Sequence, residues 1–263
     1  MTLDSLLLPT LLGPNEYGFE VPAGWKQGRG VFGGLIVGAL VRSMEQLAGP
    51  ERALRSVTSE ICGPTQTGAF TVKVEMLREG SAVSTIAARL LQNSEVQAHA
   101  VGVFGKSRAD HRVVVDMPRP DMPDWRAVEV AEVGPPVAPE FTPHFEFRLI
   151  SGVPFSGSTE ARTSAFVKPK NPGTRRDAAW VAATADACWP ALFATETELR
   201  PIATIAYTLQ LIRSPEGLDP EAPLYYRATD VSIREGYVVE FRELWAPDGQ
   251  LIALNQQTIA IIR

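Results

Sequence analysis

Leu77-Arg78-Glu79-Gly80 ends one strand-like run and opens another, and Ile233-Arg234-Glu235-Gly236 does the same in the second half of the chain. Either tetrapeptide alone is an ordinary turn. Around them the order repeats: Asn93-Ser94-Glu95 parts the next two runs in the first half, and Asp248-Gly249-Gln250 parts them in the second. Upstream, Ala53-Leu54-Arg55-Ser56-Val57 lines up with Pro201-Ile202-Ala203-Thr204-Ile205. Three matches in one order indicate an internal repeat of about half the chain.

Each copy reads as a helix followed by four strands. Leu35, Ile36, Leu40, Val41, Met44 and Leu47 fall at helical spacing, which predicts a helix over Val31–Ala48. Gly30, Gly33 and Gly34 open it and Gly49-Pro50 ends it. The β-branched runs Leu54–Cys62, Phe70–Arg78, Val83–Gln92 and Val96–Phe104 predict antiparallel strands. In the second half, strands at Glu146–Ser151 and Arg162–Val167 precede a helix over Asp177–Trp189, which Pro190 ends or kinks. Strands follow at Ile202–Ile212, Leu224–Ile233, Val238–Trp245 and Leu251–Ile262. Between the copies, Pro118, Pro120, Pro123, Pro135, Pro136 and Pro139 cannot donate to a ladder and predict a linker across the surface. The expected division is residues 1–106, a linker over 107–140, and residues 141–263. The class is α+β, with each antiparallel sheet covering a helix.

Hydrophobic residues make up 45% of the 263 and charged residues 21%, ordinary for a globular protein with a real core. A net charge of -5 without a basic cluster argues against nucleic-acid binding. Cys62 and Cys188 form no paired-cysteine motif, so neither a disulfide framework nor a metal site is expected. No secretory signal begins the chain, and no apolar run approaches the roughly 20 residues that span a bilayer. The expectation is a cytoplasmic protein with no membrane partner.

The second predicted helix is apolar nearly all round, and Asp186 is its one charge after Asp177. A lone carboxylate among alanines and tryptophans carries a desolvation cost of several kcal/mol unless it is hydrogen-bonded or protonated. Two readings are open. Either Asp186 bonds locally to backbone and hydroxyl groups, or it is placed to handle a proton. Aligning Thr204 with Ser56 puts the first-half counterpart of Asp186 near Gly38 and that of Gln257 at Gly102. Asp186, Thr204 and Gln257 therefore form a polar set whose Asp and Gln have no counterpart in the first copy.

These segments resemble the acyl-CoA thioesterase II (TesB-like) family. The resemblance rests on Val31-Phe32-Gly33-Gly34-Leu35, on Ala185-Asp186 through Trp189-Pro190, on Pro201 to Ile205, and on Ile252 to Arg263. It implies a tandem (double) hotdog fold, each half a long helix wrapped by an antiparallel sheet. It also implies hydrolysis of an acyl-CoA thioester without cofactor, by a water oriented by Asp186, Thr204 and Gln257. Gly33 and Gly34 would either donate to the carbonyl oxygen or simply permit close packing. Relatives assemble as dimers or larger homo-oligomers, so a homodimer is expected. One departure stands out. Where many relatives continue after the Thr with an Asp-His pair, this chain has Ile205-Ala206.

Rival chemistries are less well supplied. No G-x-S-x-G elbow is present, and His99, His111 and His144 are scattered, with His99 expected to be structural. The alternative kept open is a non-catalytic acyl-thioester-binding or accessory hotdog protein of a biosynthetic pathway. Acyl length, and coenzyme A against an acyl-carrier protein, depend on side chains that spacing alone does not place.

Overall fold

The computed structural model describes residues 1–108 and 116–262. His111 and the linker positions 109–115 lie outside them. A short helix α1 (Leu3–Leu6) leads into β1 (Thr10–Gly13) and β2 (Glu16–Val21), then the small hairpin of β3 (Lys26–Gln27) and β4 (Gly30–Val31). Helix α2 (Gly33–Ala48) is followed by β5 (Ala53–Ile61), β6 (Gly68–Glu79), β7 (Val83–Gln92) and β8 (Glu95–Gly105). After the crossing segment come β9 (Phe145–Ser151), β10 (Arg162–Pro169), α3 (Ala178–Thr184) and α4 (Leu192–Thr195). The chain finishes with β11 (Ile202–Leu211), β12 (Leu224–Arg234), β13 (Tyr237–Trp245) and β14 (Leu251–Ile261).

Twelve strands make one antiparallel sheet in the order β1-β2-β6-β7-β8-β5-β11-β14-β13-β12-β10-β9. The order is a palindrome about β5 and β11, which pair with Thr58 opposite Thr208 and Ser59 opposite Tyr207. The repeat is therefore larger than a helix and four strands, because β1 and β2 mirror β9 and β10. The first-half pair escapes a reading by pattern. It is short, turns at Asn15 with φ +57°, and leaves Leu11 and Leu12 exposed rather than alternating inward.

The ladders carry bulges at matching places. In the first half the register slips at Arg55, at Leu77 and after Leu90. In the second it slips at Ile205, at Val231 and after Leu244. Superposing the bulges equates Thr204 with Leu54, which corrects the expected match with Ser56. A bulge adds one residue to one strand and resets which face the following side chains take, so composition alone misplaces the register.

Helices α2 and α3 lie on the inner face of the sheet and pack on each other. A Cβ on Gly34 would stand 2.4 Å from the Ala183 carbonyl oxygen, and one on Gly38 would stand 3.2 Å from that of Ala179. These glycines let the backbones approach. The crossing equates Gly38 with Ala183, so the counterpart of Asp186 is Val41 and not a position near Gly38. Helix α2 begins at Gly33 instead of Val31, because Gly30–Val31 pairs with Lys26–Gln27 and the Val31 N–H donates to Thr65.

Helix α3 is much shorter than its spacing predicts and stops at Thr184, so Asp186 sits in the turn beyond it. That corrects the expectation that Asp186 lies on the helix. The carbonyls that would propagate the helix have other donors: Tyr207 Oη bonds the Ala182 oxygen at 3.0 Å and Arg242 Nη1 bonds that of Ala185 at 3.1 Å. An aromatic cluster fixes the opposite wall. Phe32 stacks on Phe141 at 4.0 Å and Trp25 on His144 at 4.1 Å, tying the start of α2 to the second half. The proline-rich crossing segment packs Met122, Trp125 and Val128 against Phe166, Tyr225, Trp245 and Leu251. Among the described residues no helix is long and apolar enough to cross a membrane.

Candidate active site

The bulge at Ile205 decides where Thr204 points. Tyr207 faces the core, so an unbroken strand would turn Thr204, three residues away, to the other face. With the bulge, Thr204 shares the inner face with Gln257, which pairs across the ladder with Tyr207. Thr204 Oγ1 donates to Gln257 Oε1 at 2.9 Å. Gln257 Nε2 in turn donates to Asp186 Oδ1 at 2.8 Å and to Asn255 Oδ1 at 3.2 Å. Both amide ends of Gln257 are thus assigned by their partners. Separate in sequence, Asp186, Thr204 and Gln257 form one hydrogen-bonded chain.

The other side of Asp186 meets the start of α2. A Cβ on Gly33 would stand 2.8 Å from Asp186 Oδ2, and the Gly34 N–H favours the charged carboxylate from the same side. The two glycines differ in what they permit. Gly34 makes room for the α3 backbone and the Phe32 ring, whereas Gly33 makes room for the carboxylate itself. The Gly33 N–H has only a long contact to Gln27 Oε1, at 3.5 Å. Asp186 and Gln257 are buried, while Thr204 is half-buried and marks the side that meets solvent.

Beneath the trio lies a charged row absent from the sequence reading. Arg242 Nη1 approaches Asp186 Oδ1 at 3.5 Å, and Arg242 Nε donates to Glu240 Oε1. Glu240 Oε2 accepts the Ala191 N–H, and Asn255 Nδ2 donates to the Thr208 carbonyl at 2.7 Å. Asp230 stands across the ladder from Glu240. Burial pushes the Asp186 carboxyl above its ordinary value, against the pull of Arg242, the Gln257 amide and the Gly34 N–H; Glu240 adds to the rise. Burial and the Glu240 carboxylate push Asp230 up to about 8. Burial works against the Arg242 charge, but Glu240, Tyr226 and Asp186 outweigh it and raise the guanidinium well above its ordinary value. The missed signal was the alternation Glu240-Phe241-Arg242 on a strand: two opposite charges on one face, with an aromatic on the other.

The histidines lie elsewhere. His99 is half-buried and pairs with Glu60 at 3.1 Å, away from the trio. His144 Nε2 lies 3.0 Å from the Gly24 carbonyl.

Two pseudo-equivalent helix-and-sheet units fused edge to edge, with the polar chain in only one of them, make this a double-hotdog protein. Residues 21–105 match the family model described as acyl-CoA thioesterase N-terminal domain, and residues 114–261 match that of the C-terminal domain. The chain belongs to the acyl-CoA thioesterase family. Among solved structures it is similar to a hot dog fold protein of unknown function from Alicyclobacillus acidocaldarius, with TM-score 0.88, 22% identity, and coverage of 99% of this chain and 98% of that one. It is also similar to the acyl-CoA thioesterase II TesB2 from Mycobacterium marinum, with TM-score 0.79, 16% identity, and coverage of 99% and 98%. A tesB protein from Mycobacterium avium subs paratuberculosis gives TM-score 0.82, 16% identity, and coverage of 99% and 98%. No curated protein matches the sequence.

Proposed function

We propose that this protein hydrolyses an acyl thioester of coenzyme A to the free acid and the thiol, with Asp186 as general base and Thr204 and Gln257 as its partners. The observation that carries the reading is the continuous hydrogen-bonded chain from Thr204 through Gln257 to Asp186, set against the first turn of α2. Thr204 spends its proton on Gln257, so its oxygen is free to accept. A water can then donate one hydrogen to Asp186 and the other to Thr204, leaving a lone pair directed at the thioester carbon. Gln257 holds both partners at once and so fixes the water indirectly. In this reading the Gly33 N–H, near the positive end of α2, takes the carbonyl oxygen as charge develops there, displacing the long Gln27 contact. Attack transfers the water's proton to Asp186. Collapse of the tetrahedral intermediate expels the thiolate, which recovers that proton.

The same reading places the catalytic unit in residues 141–263 and an N-terminal hotdog unit over residues 1–106. It also includes a homodimer acting in the cytoplasm. Exposed Leu11 and Leu12 on the edge strand β1 support self-association. Free thiol released from acyl-CoA substrates of short, medium, long and aromatic acyl groups tests the activity. Hydrolysis of at least one is expected, with Asp186→Asn lowering kcat by roughly tenfold to a hundredfold or more. Wild-type inactivity across that set, together with tight binding of any member, would favour the non-catalytic acyl-binding alternative. A fully active Asp186→Asn would remove the site assignment alone.

A further inference from the structure

Arg242 is 2% exposed and Glu240 not at all, yet neither belongs to the trio. Two charges are rarely kept in an interior where removing one partner costs several kcal/mol and apolar residues would serve stability as well. The surroundings show what they are joined to. Facing Asp186 are Arg242 and Glu240 from β13, Tyr226 from β12, Tyr207 from β11, Gln257 from β14, Cys188 from its own turn and the Gly34 N–H from α2. Asp230 from β12 faces the same cluster through Glu240. Arg242 is the one cation of this set, and it touches both the Asp186 carboxylate and the Ala185 carbonyl that starts the turn carrying it.

We propose that Arg242, clamped by Glu240, is a positioning residue that holds the Asp186 carboxylate and its turn in the form a general base needs. This deepens the thioesterase reading and rests on it. Glu240 does two jobs in the clamp: it fixes the guanidinium through Nε, and it secures the far end of the turn through the Ala191 N–H. The turn from Ala185 to Ala191 is thereby pinned at both ends to a single strand. Glu240 also draws on the same cation as Asp186, so the two neighbours act on the base with opposite sign. Arg242 favours its charged form and Glu240 opposes it. Burial and the Glu240 carboxylate push the Asp230 carboxyl up to about 8, which disfavours a third negative charge in the cluster.

The pH profile of kcat/KM with an acyl-CoA the wild type hydrolyses tests the proposal through Arg242→Met and Glu240→Gln. Arg242→Met is expected to move the acid limb to higher pH, so that kcat/KM on the acid side falls roughly tenfold more than at the plateau. Glu240→Gln is expected to move the limb to lower pH. A purely structural role for the pair lowers activity at every pH and leaves both limbs where they were, which overturns the inference while the hydrolase reading stands. Where Arg242→Met does not fold, Glu240→Gln decides, and a limb that stays fixed or moves up overturns the proposal. Wild-type inactivity on every acyl-CoA overturns the function and, with it, this inference.

Discussion

Beneath α2 the sheet presents Met76, Ile86, Gly102 and Val57 across one line of the ladder; the corresponding line in the second half holds Asp230, Glu240, Gln257 and Tyr207. One row further on, Val74, Ala88, Ala100 and Ser59 stand against Ala228, Arg242, Asn255 and Leu209. Over the apolar rows runs a helix of 16 residues, and Met44 fills the space above Gly102. Over the polar rows the helix lasts 7 residues and gives way to a turn whose free carbonyl and N–H groups bond to Arg242 and Glu240. The two differences are one. A helix consumes its own backbone groups, so it suits an apolar floor, whereas a broken helix needs partners and a polar floor provides them. One copy carries an apolar floor and the other a polar one within the same ladder geometry.

The largest expected effect comes from forcing the second-half pattern on the first. Ile86 is fully buried and occupies the ladder position of Glu240. An acid there meets no guanidinium and no broken helix, so Ile86→Glu should destabilise the protein by about 3–5 kcal/mol, measured by urea unfolding. A loss below about 1 kcal/mol would show that the first-half floor is not the dry surface described, and the contrast between the halves would collapse.

The turns at Glu79-Gly80 and Glu235-Gly236 made the repeat legible, since they are local and bounded by alternating apolar residues. Asp186 was legible as a candidate because an apolar stretch exposes a misplaced charge. Arg242 was not, because an alternating strand such as Glu240-Phe241-Arg242 reads as having one solvated face, and only the folded sheet shows that the charged face is the inner one. The end of α3 was likewise hidden. Ala182, Ala183 and Ala185 are strong helix formers, and what stops them is Tyr207 and Arg242, distant in sequence. The bulge at Ile205, which turns Thr204 inward, has no composition signature at all.

A smaller effect follows from Asp230, whose counterpart is Met76. The folded protein holds its proton up to about pH 8, whereas the unfolded chain releases it near the ordinary value of 3.8. Between those limits the folded state binds more protons, so stability contributed at this site falls as pH rises and levels off above pH 8. Asp230→Asn keeps the shape and cannot ionise. Its melting temperature should exceed that of the wild type by a margin that opens between about pH 4 and pH 8, reaching roughly a few degrees. The half-buried position screens part of the effect. A margin that is flat with pH would mean that Asp230 is ionised in the fold, and the second-half row would then carry one more charge than Arg242 can serve.

The smallest effect is expected at Asn255, and it separates two meanings of the polar row. Its counterpart is Ala100, which shows that an alanine is compatible with this place in the ladder. Asn255→Ala removes the bond to the Thr208 carbonyl and one of the two acceptors that orient Gln257, while Gln257 keeps Asp186 and Thr204. The cost in stability should be about 1 kcal/mol, the ordinary net worth of a hydrogen bond. The rate is the sharper readout. Where the row serves the trio, a Gln257 amide with one acceptor fewer holds Thr204 less firmly, so kcat should fall several-fold with KM nearly unchanged, since the loss concerns the water and not the acyl chain. An unchanged kcat alongside the same loss of stability would mean that Asn255 satisfies only the backbone of β11, and the row would divide into a catalytic part at Gln257 and a merely structural one beside it.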